Sequence, residues 1–106
     1  MPKFLVQAKY TAEGAGGLLK SSASDRRKAV ETLASSLGGT LETFYFAFGS
    51  DDAVIIVDLP SNETALTVAL AVRESGMVQS VTTPLITTEE ADRAIEHHIK
   101  FRPPGA

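Results

Sequence analysis

Asp52 is the first side chain in this chain that could do chemistry. With Gly49 it belongs to the turn Gly49-Ser50-Asp51-Asp52 between two apolar runs. A turn aspartate accepts hydrogen bonds from turn amides, and glycine supplies a positive φ. At the mouth of a pocket the same carboxylate would serve as a base or as a ligand acceptor, which requires a partner group within reach. Tyr10 and His98 are the other acid–base candidates. His97 and His98 are the only histidines, so one chain cannot build a three-histidine metal site. Neighbours on a helix point about 100° apart and do not easily grip one ion together. His98 alone could be an axial ligand to haem or a metal at a subunit interface. Imidazolium near a helix C-terminus is also favoured by the dipole, which is a structural reason for either residue.

Phe44, Phe46 and Phe48 recur at every second position of the run before the turn. Phenylalanines in that pattern fill a core or an interface. They equally suit an apolar ligand cavity with Tyr10 as its polar handle. Arg26 and Arg27 fall in the first turn of a helix, where positive charge opposes the dipole. They pair with Asp25 or Glu31, bind an anion, or remain solvated. Gly14, Gly16 and Gly17 lack the GK[ST] ending and spacing of a phosphate loop.

These groups need elements to position them. Lys3 to Tyr10 alternates in polarity and reads as a strand. Thr11 to Ala23 reads as a long glycine-rich connection, pinned by Leu18 and Leu19. Ser24 suits an N-cap, followed by a helix with Val30, Leu33, Ala34 and Leu37 inward and Gly38 or Gly39 at its end. Residues 41–58 read as a hairpin, apolar on both faces of both strands. Glu42, Phe44, Phe46 and Phe48 share one face of its first strand; Leu41, Thr43, Tyr45 and Ala47 share the other. A second helix, 62–75, is capped by Ser61 or Asn62, is apolar nearly all round and stops at Gly76. Met77 to Leu85 is a fourth strand, broken near Pro84. Thr87 and Glu90 are spaced as a capping box for a last helix, with Ala91, Ala94, Ile95, His98 and Ile99 inward. Residues 99–106 form an extended tail. The order is α+β, the split βαββαβ of ferredoxin-like folds with an extra C-terminal helix and an antiparallel sheet. Helices on one sheet face leave the other open to a partner, a ligand or both.

Composition sets further bounds. The 106 residues point to one domain, 1–106. Thirteen acids against ten bases give a net charge of -3, which argues against nucleic acid as a partner. No apolar run reaches the roughly 18 residues of a membrane span, and a soluble, cytoplasmic protein is expected. Zero cysteines exclude disulfides, thiolate metal sites and a cysteine nucleophile.

The segments KFLVQAKYTAEG, RRKAVETLASSLGGTLETFYFAFG and VIIVDLP, extended by ALAVRESG, TTPLITTEE and FRPPG, carry a resemblance over nearly the whole chain. The chain resembles the GYD-domain family of small bacterial and archaeal proteins. Gly49 and Asp52 match the glycine and aspartate of its naming signature, while Asp51 stands where tyrosine is expected. The resemblance implies a ferredoxin-like fold related to dimeric α/β barrels and supplies no reaction.

The leading expectation is a homo-oligomer that pairs sheet to sheet and either binds a small apolar or aromatic molecule through Phe44, Phe46, Phe48 and Tyr10 or serves a structural role. No cofactor and no metal are expected. The alternatives are a cofactor-independent isomerase or monooxygenase using Asp52, Tyr10 or His98, and haem binding through His98.

Overall fold

The computed structural model describes residues 1–105 and contains eight elements. They are β1 (Lys3–Tyr10), α1 (Ala12–Leu19), α2 (Ala23–Ser36), β2 (Thr40–Phe46), β3 (Ala53–Asp58), α3 (Asn62–Glu74), β4 (Val78–Leu85) and α4 (Thr88–Ile95). The strands form one antiparallel sheet in the order β2-β3-β1-β4. That order, with α2 and α3 as crossovers, is the ferredoxin-like arrangement expected from the sequence.

The alternation in β1 decides which face is covered. Phe4 and Ala8 turn inward and are buried, joined by Val6. Their neighbours Ala53, Ile55 and Val57 on β3 are buried beside them. From the helices, Ala34 of α2 and Ala65 of α3 close the same core. A bulge between Leu41 and Thr43 shifts the register of β2. It brings Leu41 to the same face as Phe44, and both are buried, at 8% and 7% exposure. Strict alternation separates these two residues; one extra residue in the strand reunites them in the core.

Three boundaries differ from the sequence reading. First, Thr11 to Ala23 is not an irregular connection, because α1 occupies most of it. Its three glycines disfavour a helix, but Thr11 caps it and accepts from the Gly14 amide at 3.2 Å. Tertiary contact completes the case: Thr11 donates from its amide and its hydroxyl to the Met77 carbonyl. Gly14 lies so close that a Cβ there would meet the Met77 carbonyl oxygen at 2.0 Å. Second, α2 is capped by Ser22 rather than Ser24, its hydroxyl accepting from the Asp25 amide at 3.0 Å. Third, β4 runs through Pro84, opposite Phe4. A proline is tolerated there because β4 is an edge strand and needs no donor on its outer side.

α4 has the predicted capping box, with Thr87 and Glu90 bonded reciprocally. It lacks the predicted inner face. The helix ends at Ile95, so His98 and Ile99 lie beyond it, and Ile99 is 81% exposed. Only Ala91 is half-buried, since no body surface lies against the helix. The radius of gyration is 16.9 Å, against about 13 Å for a compact chain of this length. The segment after β4 is therefore an arm that leaves the body. No helix among the described residues is long and apolar enough to cross a membrane.

Candidate functional site

Asp52 closes the β2–β3 connection. Its carboxylate accepts from the Tyr10 amide at 2.9 Å. Its own amide donates to the Ala8 carbonyl, and its carbonyl accepts from the Ala47 amide, both at 2.8 Å. All three bonds tie the loop to strand ends, which is the turn-acceptor role. Gly49 does not have the positive φ expected of it; the left-handed glycines are Gly38, Gly76 and Gly105. Asp51, at the position of the missing tyrosine, accepts from the Gln7 side chain at 3.1 Å.

The three phenylalanines do not share one cavity. Phe44 and Phe46 pair with Ile55 and Ala53 and so face the helices. Their rings lie 5.1 Å apart at a tilt of 57°. Phe48 lies past the end of β2 and is fully exposed. Tyr10 also packs on the helix side, against the core. His97 and His98 are exposed in the arm, and His98 lines none of the cavities that hold Tyr10 or Asp51. The structure therefore brings Asp52 to the backbone of Tyr10 and leaves His98 apart from both. Among the described residues no cluster of three His, Cys, Asp or Glu could hold a metal.

The helix-free face presents two rows with an apolar middle and polar members at Thr43, Thr83 and Gln7. Thr43, Ile56, Leu5 and Thr83 form one, and Tyr45, Val54, Gln7 and Val81 the next. Tyr45 and Val81 are 70% and 63% exposed. A polar border follows: Lys3 donates to Asp58 at 3.0 Å and to Glu42 at 3.1 Å. Those two carboxylates, Asp58 first, hold the Lys3 amine above its ordinary value. At the other end lies an open groove of about 530 Å³, lined by Gln7, Lys9, Asp51, Arg73 and Gln79.

The helix side holds a cleft of about 90 Å³ that the sequence reading missed. Val30 and Leu33 of α2 face Val68 and Val72 of α3 across it, and Arg26 is its only charged lining residue. A second chamber of about 260 Å³ shares Arg26 and Val78 with it and adds Tyr10, Asp25 and Ser21. The Arg26 Nε is buried and has no hydrogen-bond partner. Arg27 instead donates to the Phe44 carbonyl at 3.4 Å. The signal in the sequence was an arginine set against the helix dipole.

A family model described as the GYD domain matches residues 4–95, from β1 through α4. No curated protein and no solved structure matches the chain.

Proposed function

The chain belongs to the GYD-domain family, and from that premise we propose a homo-oligomeric binding protein whose copies pair through their helix-free sheet faces around a small apolar or aromatic molecule. The observation that carries this reading is the uncovered centre of that face: Leu5, Val54 and Ile56 flanked by exposed Tyr45 and Val81. Water against contiguous apolar surface is unfavourable, and such surface marks interaction sites. The polar border of Lys3, Asp58 and Glu42 around an apolar centre has the layout of a protein interface. The arm adds weight, with Ile86, Ile95, Ile99 and Phe101 exposed and no body surface to cover them. The groove at the β4 edge has Gln7, Lys9 and Asp51 on this side and Arg73 on the other, and supplies the few polar groups a ligand site needs.

Tyr45→Asp combined with Val81→Asp tests the reading. Both side chains are exposed in a single copy, so the fold tolerates the change while a paired sheet would bury two unpaired charges. The expected result is a fall in solution mass to that of one chain with little change in helicity. An unaltered oligomer overturns the reading.

A further inference from the structure

We propose that the cleft between α2 and α3 binds a short aliphatic carboxylate, with its chain among Val30, Leu33, Val68 and Val72 and its carboxylate on Arg26. All of these residues lie on the helix side of one copy, so the site stands or falls separately from any pairing of sheets.

Two independent features carry it. The cleft is open, lined almost wholly by apolar side chains, and bordered by a single charge. That charge, Arg26, keeps a buried Nε–H without a partner. A buried donor left unpaired is costly, and a guanidinium cannot relieve the cost by losing its proton. The Nε–H is closed off from solvent, so a head group reaches it as the guanidinium turns toward the second chamber, where the Nε–H and a neighbouring Nη–H form a planar fork that matches the two oxygens of a carboxylate. Arg26 sits where the cleft meets the second chamber, so a head group on it leaves the attached chain free to enter the apolar side.

The surroundings narrow the ligand further. Asp25 faces the second chamber, its carboxylate accepting from the Ser21 hydroxyl at 3.3 Å. One arginine beside one aspartate favours a singly charged head over a phosphate dianion. Tyr10 lines the same chamber and can donate to the head group. The cleft's 90 Å³ is smaller than the roughly 150 Å³ that accepts benzene. The inner part of an alkyl chain fits a space of that size, with the rest along the open mouth of the cleft, whereas a whole ring does not.

Hexanoate is the probe, with hexan-1-ol and inorganic phosphate beside it. The readouts are the Arg26 Nε–Hε resonance and, where Arg26 is replaced, the methyl resonances of Val30 and Val72 in the isotope-labelled full chain. Hexanoate should shift them saturably, with hexan-1-ol and phosphate at least tenfold weaker. Arg26→Met keeps the apolar stem and should erase the preference for hexanoate over the alcohol. Val68→Phe, which fills the cleft, should weaken hexanoate at least tenfold, while Tyr45→Asp with Val81→Asp should leave binding intact. Absence of a saturable shift in the unaltered protein overturns the proposal. So does phosphate binding as well as hexanoate, or hexanoate binding unchanged in Arg26→Met.

Discussion

Replacing Asp52 by alanine separates a turn acceptor from a catalytic base. The substitution removes the acceptor of the Tyr10 amide, a 2.9 Å bond in a partly buried setting. Hydrogen bonds to charged groups contribute about 1.5–3 kcal/mol, and a stranded buried donor costs about 1–3 kcal/mol. Partial exposure lets water recover some of this, which places the loss near 1.5 kcal/mol, at the lower end of those ranges. Unfolding entropy is about 2.1 cal/mol/K per residue, or about 0.22 kcal/mol/K for this chain. The melting temperature should therefore fall by about 7 °C. Asp52→Asn keeps a carbonyl acceptor and should lose less than half as much. Urea unfolding at one fixed protein concentration measures the loss, because an oligomer's stability depends on concentration. Hydrogen exchange at the Tyr10 amide locates it. A variant within 0.3 kcal/mol of the parent, roughly the scale of ordinary surface substitutions, with Tyr10 still protected, would refute the turn-acceptor assignment.

Gly14→Ala should destabilise the fold by about 1–3 kcal/mol, since its Cβ would press into the Met77 backbone carbonyl; urea unfolding no different from the parent would contradict that packing. Thr87→Ala should weaken α4 by about 1 kcal/mol, seen as lower residue helicity over Thr88–Ile95 by NMR. In the parent, hydrogen bonds from Thr87 lower the Glu90 carboxyl below its ordinary 4.5. Their stabilisation is present above that value and is lost as pH falls through the folded pKa, so α4 should fray in acid, and Glu90→Gln should flatten this dependence. Lys3 behaves in the opposite sense. Its amine is raised above 10.5, so the Lys3 pairs are complete below that value and are lost as pH rises through the folded pKa. Lys3→Met should remove that alkaline component from the stability profile, a small one because the amine is exposed.

Much of the fold was legible because β1 alternates at every position but Leu5 and the helices are punctuated by Ser61 and Thr87 before α3 and α4 and by Gly38 and Gly76 after α2 and α3. What stayed hidden depended on contacts distant in sequence. α1 exists because Gly14 nests against Met77, 63 positions away, which no local propensity reveals. Leu41 and Phe44 share a face only through a bulge, so the faces of β2 could not be sorted by counting. As a result Phe46 lies on the helix side, at the exposed edge of the core, and forms no part of the open face. The role of Asp52 was readable from turn chemistry, whereas that of Gly49 was not, since its φ is ordinary. Arg26 stood out as a charge in the wrong place, but the cleft it borders is built by two helices about 40 residues apart.

The central claim is that the helix-free sheet face is an interface between copies. Sedimentation equilibrium of the unaltered protein over a wide concentration range tests it most directly. Pairing predicts a mass of at least twice the 11.2 kDa chain, falling to a single chain when Tyr45 and Val81 are both changed to aspartate. A mass of 11.2 kDa at every concentration would contradict it.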